Sequence, residues 1–486
     1  MASRVTRREL LRTGGLVGLG AVLAACQPEV VVETVVKEVE KVVKETVIIE
    51  GESKVVEKVI TVMPETEEIE ITPQDVTLTV LTIWGGTRVP LMDDMIARFQ
   101  EKYPWITVEH VLVPGGERLQ KIQTGIAGGT PDDVVMVGQG EIPMFASRRA
   151  LIPLDDYMQA YGVDPGAYYE TSFLLSQWQD VTYQLPNVLS TYHYFYNVDH
   201  FEAAGLDPDT PPDTWDDLIA MSKELTTWDG EFIDQLGYQF YHGMPNRADF
   251  IQVLVSAGGE FYSEDARQAV FNSEIGVQSL ETLLTAMTEI FGSADDYQAW
   301  GAVQGSLDIT NPFIAGTLAA GHRGVWDIFY IESAETDLRY RVALLPRPAG
   351  GTSKFVGDVA GGGNWGYSIP AGAKSVEDSW RLVEWLCYDP SAAGWFMQQQ
   401  GRPSPLKAVN EDQFYYQEFP DTWPDVVKAL DTYAYIPLSP ASAEISNVLT
   451  QALEEATLGV TGAKDALDWA AAESQALLDE AWGDIW

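Results

Sequence analysis

Val76, Leu78, Val80 and Ile83 lie in a strand-like run that stops at Trp84-Gly85-Gly86. The period then lengthens: Leu91, Met92, Met95, Ile96, Phe99 and Tyr103 recur at helical spacing until Pro104. Ile106 to Val113 reads as a second strand, and Leu119, Ile122 and Ile126 mark a second helix. Gly128-Gly129-Thr130-Pro131 breaks that helix, and Asp133 to Gly138 reads as a third strand. The order βαβαβ predicts a parallel, doubly wound sheet, in which ligands sit at the carboxyl ends of strands. Trp84 and the loop Gly138-Gln139-Gly140-Glu141 both fall at such ends.

A second alternation follows. Ser190 to Asn197 is an aromatic strand, and Pro211-Pro212-Asp213-Thr214 announces a helix with Thr214 as N-cap and Asp217 three residues on. Leu280, Leu283, Leu284 and Met287 mark another helix. Gly324-Val325-Trp326-Asp327 reads as a strand end. The glycine run Gly361-Gly362-Gly363-Asn364-Trp365-Gly366 leads into a short strand, Tyr367 to Pro370. Trp380, Val383, Glu384 and Leu386 begin a further helix, and Ala463 to Trp482 is an amphipathic one carrying Leu467, Ala470, Leu477 and Leu478.

The N-terminus has a different pattern. Arg4, Arg7, Arg8 and Arg12 precede an apolar run of 12 residues, Gly14 to Ala25. Twelve helical residues rise about 18 Å, short of the ~30 Å hydrocarbon layer, so the run reads as an export signal over residues 1–25 and not as a span. Thr6 to Arg12 resembles a twin-arginine signal, and Leu23-Ala24-Ala25-Cys26 resembles the lipobox of bacterial lipoproteins, in which the cysteine is acylated and becomes the new N-terminus. Residues 26–75 are a Val/Glu/Lys-rich tether closed by Pro64 and Pro73. Within it Val32, Val36, Val39 and Val43 also carry the spacing of a coiled-coil seam.

Composition narrows the partners. The chain has 486 residues, 72 acids against 30 Lys and Arg, and a net charge of −42. Such a surface repels phosphate backbones, which excludes nucleic acid as a partner. Hydrophobic residues at 46% and aromatic ones at 11% supply more than one core. The only cysteines, Cys26 and Cys387, exclude a disulfide scaffold and a Cys-rich metal site, and Cys387 reads as a small buried hydrophobe.

The order of segments in the body resembles family 1 extracellular solute-binding proteins, the sugar-capturing proteins of ABC importers related to maltose-binding protein. The residues that carry the resemblance begin with the strand ending in Trp84, Ala127 to Val135 and Arg149-Ala150-Leu151-Ile152-Pro153-Leu154-Asp155. Tyr183-Gln184-Leu185-Pro186, Tyr194-Phe195-Tyr196-Asn197 and Pro211 to Leu218 continue it. The glycine cluster before Trp365 and the Gly401-Arg402-Pro403-Ser404 turn complete it. It spans about Val76 to Trp482.

The resemblance implies an α/β fold of two lobes, each a mostly parallel sheet flanked by helices, with a cleft between them. Lobe 1 would hold 76–190 and 362–412, and lobe 2 would hold 191–361 and 413–486. It further implies closure of the lobes on a small carbohydrate, delivery to a membrane permease, no cofactor, and attachment to the outer face of the cytoplasmic membrane through lipid on Cys26.

A sugar presents apolar faces and a rim of hydroxyls, so its site needs flat aromatic surfaces and convergent polar side chains. Trp84, Trp326 and Trp365 are the candidate platforms. Glu141 matches the position where a lobe-1 carboxylate accepts from sugar hydroxyls. Gln139, Asn187, Ser190, Tyr192, Asp327, Gly363 and Asn364 are their neighbours. Arg402 either donates to a ligand oxygen or anchors its turn by pairing with carboxylates.

Competing chemistry is sparse. The histidines lack metal-ligand spacing, and no Gly-Lys dipeptide forms a phosphate loop. An exported carbohydrate-active enzyme needs paired carboxylates, but adjacent acids such as Asp132-Asp133 and Asp216-Asp217 carry little information among 72. Another solute (a polyamine, a peptide, glycerol phosphate) is the other alternative. No basic cluster near the inferred cleft points to a phosphorylated guest.

Overall fold

The computed structural model describes residues 31–49, 52–71, 74–241, 243–304, 312–334, 336–356 and 364–483. The expected signal segment with Cys26, and Gly361-Gly362-Gly363 of the glycine run, lie outside them. The chain divides into two compact units at Asp75/Val76.

In the first unit, β1 (Val31–Ile49) pairs antiparallel with β2 (Glu52–Ile71), from Val31 opposite Ile71 to Ile49 opposite Glu52. The stretch whose valines carry a coiled-coil spacing is thus a two-stranded ribbon and not a helix. Valine is branched at Cβ and stiff at χ1, so a valine-rich run with no other helix-favouring pattern pairs well in an extended form.

The second unit begins with β3 (Val76–Thr82), followed by β4 (Ile106–Leu112) and β5 (Val134–Gly138). The helices Val89–Lys102 and Gly115–Ala127 connect them. β3 runs parallel to both neighbours, with Val76 beside Ile106 and Val80 beside Val134. Leu78 and Val80 enter one buried cluster with Met92, Met95 and Phe99, while Leu81 enters another with Ile122, Val135 and Val137. A central parallel strand covered on both faces needs apolar side chains on both, which is what its sequence supplies.

Later in the chain come β6 (Leu185–Val188), β7 (Tyr192–Asn197), β8 (Ala320–Gly324), β9 (Tyr340–Ala343) and β10 (Trp365–Ser368). The first sheet has five strands in the order β4-β3-β5-β10-β6. β10 inserts antiparallel between β5 and β6, placing Trp365 opposite Gly138 and Val188. The second sheet, β8-β7-β9, is antiparallel throughout, with Gly324 opposite Tyr192 and Tyr340 opposite Asn197. The two-sheet α/β class agrees with expectation, whereas the second sheet departs from the expected parallel order. Strand direction there depends on long helical connections, such as that through Glu274–Phe291, whose path local periodicity does not encode.

Local signals behave as their chemistry requires. Thr214 caps the helix Trp215–Leu225, accepting from the Asp217 amide at 3.2 Å while Asp217 accepts from the Thr214 amide at 3.1 Å. Cys387 is buried at the end of the helix Val376–Cys387, where burial pushes its thiol pKa up. Both members of the Asp132-Asp133 pair have partners within the fold: Asp133 is buried and accepts from the Thr79 amide and hydroxyl, and Asp132 meets Lys121 at 2.6 Å.

Candidate functional site

The loops after β3 and β8 meet the Gly401 turn around two tryptophans and two arginines. Trp84 lies two residues beyond β3, in a turn closed by the Gly85 amide on the Ile83 carbonyl. Its Nε1 donates to the Tyr367 hydroxyl at 3.1 Å and its ring meets the edge of Phe396 at 5.3 Å. Trp326 follows β8 and caps the helix Asp327–Ser333, with its ring partly exposed. A methyl carbon on Gly324 would sit 2.2 Å from that ring, so the absence of a side chain there lets Trp326 fold back over the strand end. Tyr192, opposite Gly324, meets Trp326 edge-on at 5.5 Å, Tyr241 at 5.1 Å and His322 at 5.3 Å.

Arg402 bridges these groups. Its guanidinium lies 5.6 Å from the centroids of both Trp84 and Trp326, and Nη2 donates to Ser190 Oγ at 2.7 Å. The preceding Gly401 has φ +60°, and a Cβ there would press on Phe419 at 2.8 Å, which fixes glycine in this turn. The turn is held by the Tyr415 hydroxyl, which donates to the Arg402 carbonyl at 2.6 Å. Of the two roles open to Arg402, carboxylate pairing is not the one seen: among the described residues its side-chain partner is a serine hydroxyl. Burial and the nearby charge of Arg88 push its pKa down to about 9.

Arg88 is the second cation. It lies just before the helix Val89–Lys102, with Nε donating to Gln400 Oε1 at 2.8 Å and Nη1 donating to the Tyr330 hydroxyl at 2.8 Å. Its guanidinium also lies 4.7 Å from the Tyr330 ring and 5.9 Å from Trp84. The expectation of no basic cluster near the cleft is therefore corrected. Arg88 and Arg402 stand far apart in the chain and meet only because the turn after β3 and the Gly401 turn share one wall.

The other candidates have partners within the fold. Glu141, 7% exposed, accepts from Arg118 Nη2 at 2.5 Å and from the Gly138 amide at 3.0 Å. Arg118, 2% exposed, also donates to the Met136 carbonyl and lies 4.7 Å from the Trp365 ring. Glu141, Arg118 and Trp365 thus form one group beside β5. Gln139 donates to the Ser172 carbonyl and Ser176 Oγ, and Asn187 donates to the Leu386 carbonyl. Asn364 ties the sheets: its Oδ1 accepts from the Ser190 amide at 2.8 Å, its carbonyl accepts from the Gln139 amide, and its Nδ2 meets the Tyr433 hydroxyl. Asp327 accepts from Arg323 at 2.7 Å.

The family model described as bacterial extracellular solute-binding protein matches residues 85–387, more than half of the chain. The chain belongs to this family. A protein of Brucella abortus (strain 2308) described only as a binding protein is 25% identical over 397 residues, 80% of this chain and 90% of its own. The lactose-binding protein of Rhizobium radiobacter is 25% identical over 313 residues, 61% of this chain and 68% of its own. Among solved structures, a Thermotoga lettingae ABC transporter solute-binding protein bound with α-D-tagatose superposes with TM-score 0.70 at 23% identity, covering 83% of this chain and 99% of that one. The maltose-bound MalE3 of T. maritima gives TM-score 0.70 at 21% identity, covering 82% and 99%. These likenesses establish a two-lobed solute-binding fold.

Arg88, Tyr330, Tyr241, Tyr433 and the buried pair His322–Asp249, with His322 Nδ1 2.6 Å from Asp249 Oδ1, were missed in the sequence of this solute-binding protein. Arg88 carried one usable signal, since Trp84-Gly85-Gly86-Thr87-Arg88 is a turn that folds back on itself. The others are readable only after the strands are paired.

Proposed function

We propose that this protein is the extracytoplasmic substrate-binding component of an ABC importer, that it captures a carbohydrate by hinge closure, and that it returns its guest intact. The observation that carries this reading is the convergence of Trp84, Trp326 and Tyr192 with Ser190, Asn364 and Arg402. Flat rings suit the C–H faces of a pyranose, and the polar groups suit its hydroxyl rim. The family consists of binding proteins, and relatives of comparable similarity carry names that specify lactose and arabinooligosaccharide. Residues 76–190 with 362–412, and 191–361 with 413–486, would be the closing lobes. The segment 1–25 would direct export, lipid on Cys26 would hold the chain at the membrane, and residues 26–75 would set the body off its surface.

Intrinsic tryptophan fluorescence against a panel of mono- and oligosaccharides tests the reading. A saturable change with a sugar is expected. A response only to amino acids, peptides or polyamines would remove the carbohydrate assignment and leave the family intact.

A further inference from the structure

Around the cleft most ionised side chains have a counter-charge. Asp327 is taken by Arg323 at 2.7 Å and Glu141 by Arg118 at 2.5 Å. Arg88 and Arg402 are different. They are 8% and 4% exposed, and among the described residues neither has a carboxylate within ion-pair distance. Their partners are neutral: Gln400 and Tyr330 for one, Ser190 for the other, with Arg402 Nε buried and unpartnered. Buried cations ordinarily come paired, because removing a charge from water is costly unless an opposite charge meets it. Here two like charges are held close together in a chain that has 72 acids available to neutralise them. The planar donor fork of arginine matches the oxygens of a carboxylate or phosphate in paired hydrogen bonds, and a hydroxyl gains less from it.

We infer that the guest of this cleft carries an acidic group, a carboxylate or a phosphate on a hydroxylated skeleton, received between Arg88 and Arg402 with the skeleton lying against Trp326. The inference rests on the reading of a hydroxylated guest captured by closure; it narrows the carbohydrates to acidic sugars and readmits the glycerol phosphate that the sequence left as an alternative. Burial and the mutual repulsion of the two guanidiniums, which lower the Arg402 pKa to about 9, are relieved when an anion binds.

Matched pairs on the full chain test it by calorimetry: D-galacturonate against D-galactose for the carboxylate, and sn-glycerol 3-phosphate against glycerol for the phosphate. In at least one pair the acid should bind ~10-fold or more tightly than its neutral parent, the scale of a charge-assisted hydrogen bond. In Arg402→Gln that preference should shrink to within ~3-fold, with Arg88→Gln as the substitute if the first variant does not fold. Equal affinity for acid and neutral parent, no response to either acid, or equal weakening of both members of a pair by the substitution overturns the inference. Binding of neutral sugars alone ends the inference and leaves carbohydrate capture standing, while binding of amino acids or peptides alone ends both.

Discussion

Replacing Glu141 by glutamine separates a ligand carboxylate from a structural one. The side chain is 7% exposed and both oxygens are engaged, one by Arg118 Nη2 at 2.5 Å and the other by the Gly138 amide at 3.0 Å. Glutamine keeps the shape but strands the Arg118 guanidinium, which is 2% exposed and keeps only the Met136 carbonyl and the Trp365 ring. Removing one member of a buried pair costs about 3–5 kcal/mol, and the retained side-chain oxygen puts this case near the lower end. For a lobe-sized cooperative unit about 3 kcal/mol lowers Tm by roughly 6–12 °C. Calorimetric melts alongside fluorescence titrations should show that loss, with the folded variant binding its guest within about 3-fold of the parent. Joint replacement, Arg118→Met with Glu141→Leu, should cost less than the two changes summed, because the stranded charge is gone. An unchanged melt with abolished binding would refute the reasoning and turn Glu141 toward the guest.

Three further outcomes follow from the same geometry. Trp326→Ala should weaken binding by about 10- to 30-fold without unfolding the chain, since the ring is partly exposed; unchanged affinity would assign it to packing. Gly324→Ala forces a methyl group to within 2.2 Å of the same ring, so it should lower affinity in the parent and add little in the Trp326→Ala background, a non-additivity that a double-mutant cycle reads directly. His193, buried with Nε2 2.7 Å from Thr191 Oγ1, has its pKa driven down from 6.5 to about 3 by burial. The unfolded chain then binds a proton that the folded chain refuses, so this contribution is intact above pH 6.5 and is lost as pH falls toward 3, at up to about 1.4 kcal/mol per pH unit. His193→Gln should flatten that part of a Tm-versus-pH curve; an unaltered slope would mean that other groups set it.

Local order was legible in this chain because it is written in neighbours. The apolar period set β3, β4 and β5 and the helices between them, and Thr214 with Asp217 set a helix start. The placement of Trp84 and Glu141 at strand ends also needed only periodicity, and the order of weak motifs carried the family. What each polar side chain does at those ends was settled by tertiary pairing. Inserting β10 beside β5 puts Trp365 and Arg118 together, so the carboxylate that reads as a ligand group also has a partner inside the fold. The antiparallel second sheet brings Gly324 to Tyr192 and so fixes where the Trp326 ring lies. Arg88 and Arg402 share no local pattern, and only the meeting of two remote turns makes them neighbours. A side chain's period is imposed by the few residues around it, whereas its counter-charge is chosen by whatever distant segment the packed fold brings within hydrogen-bond reach.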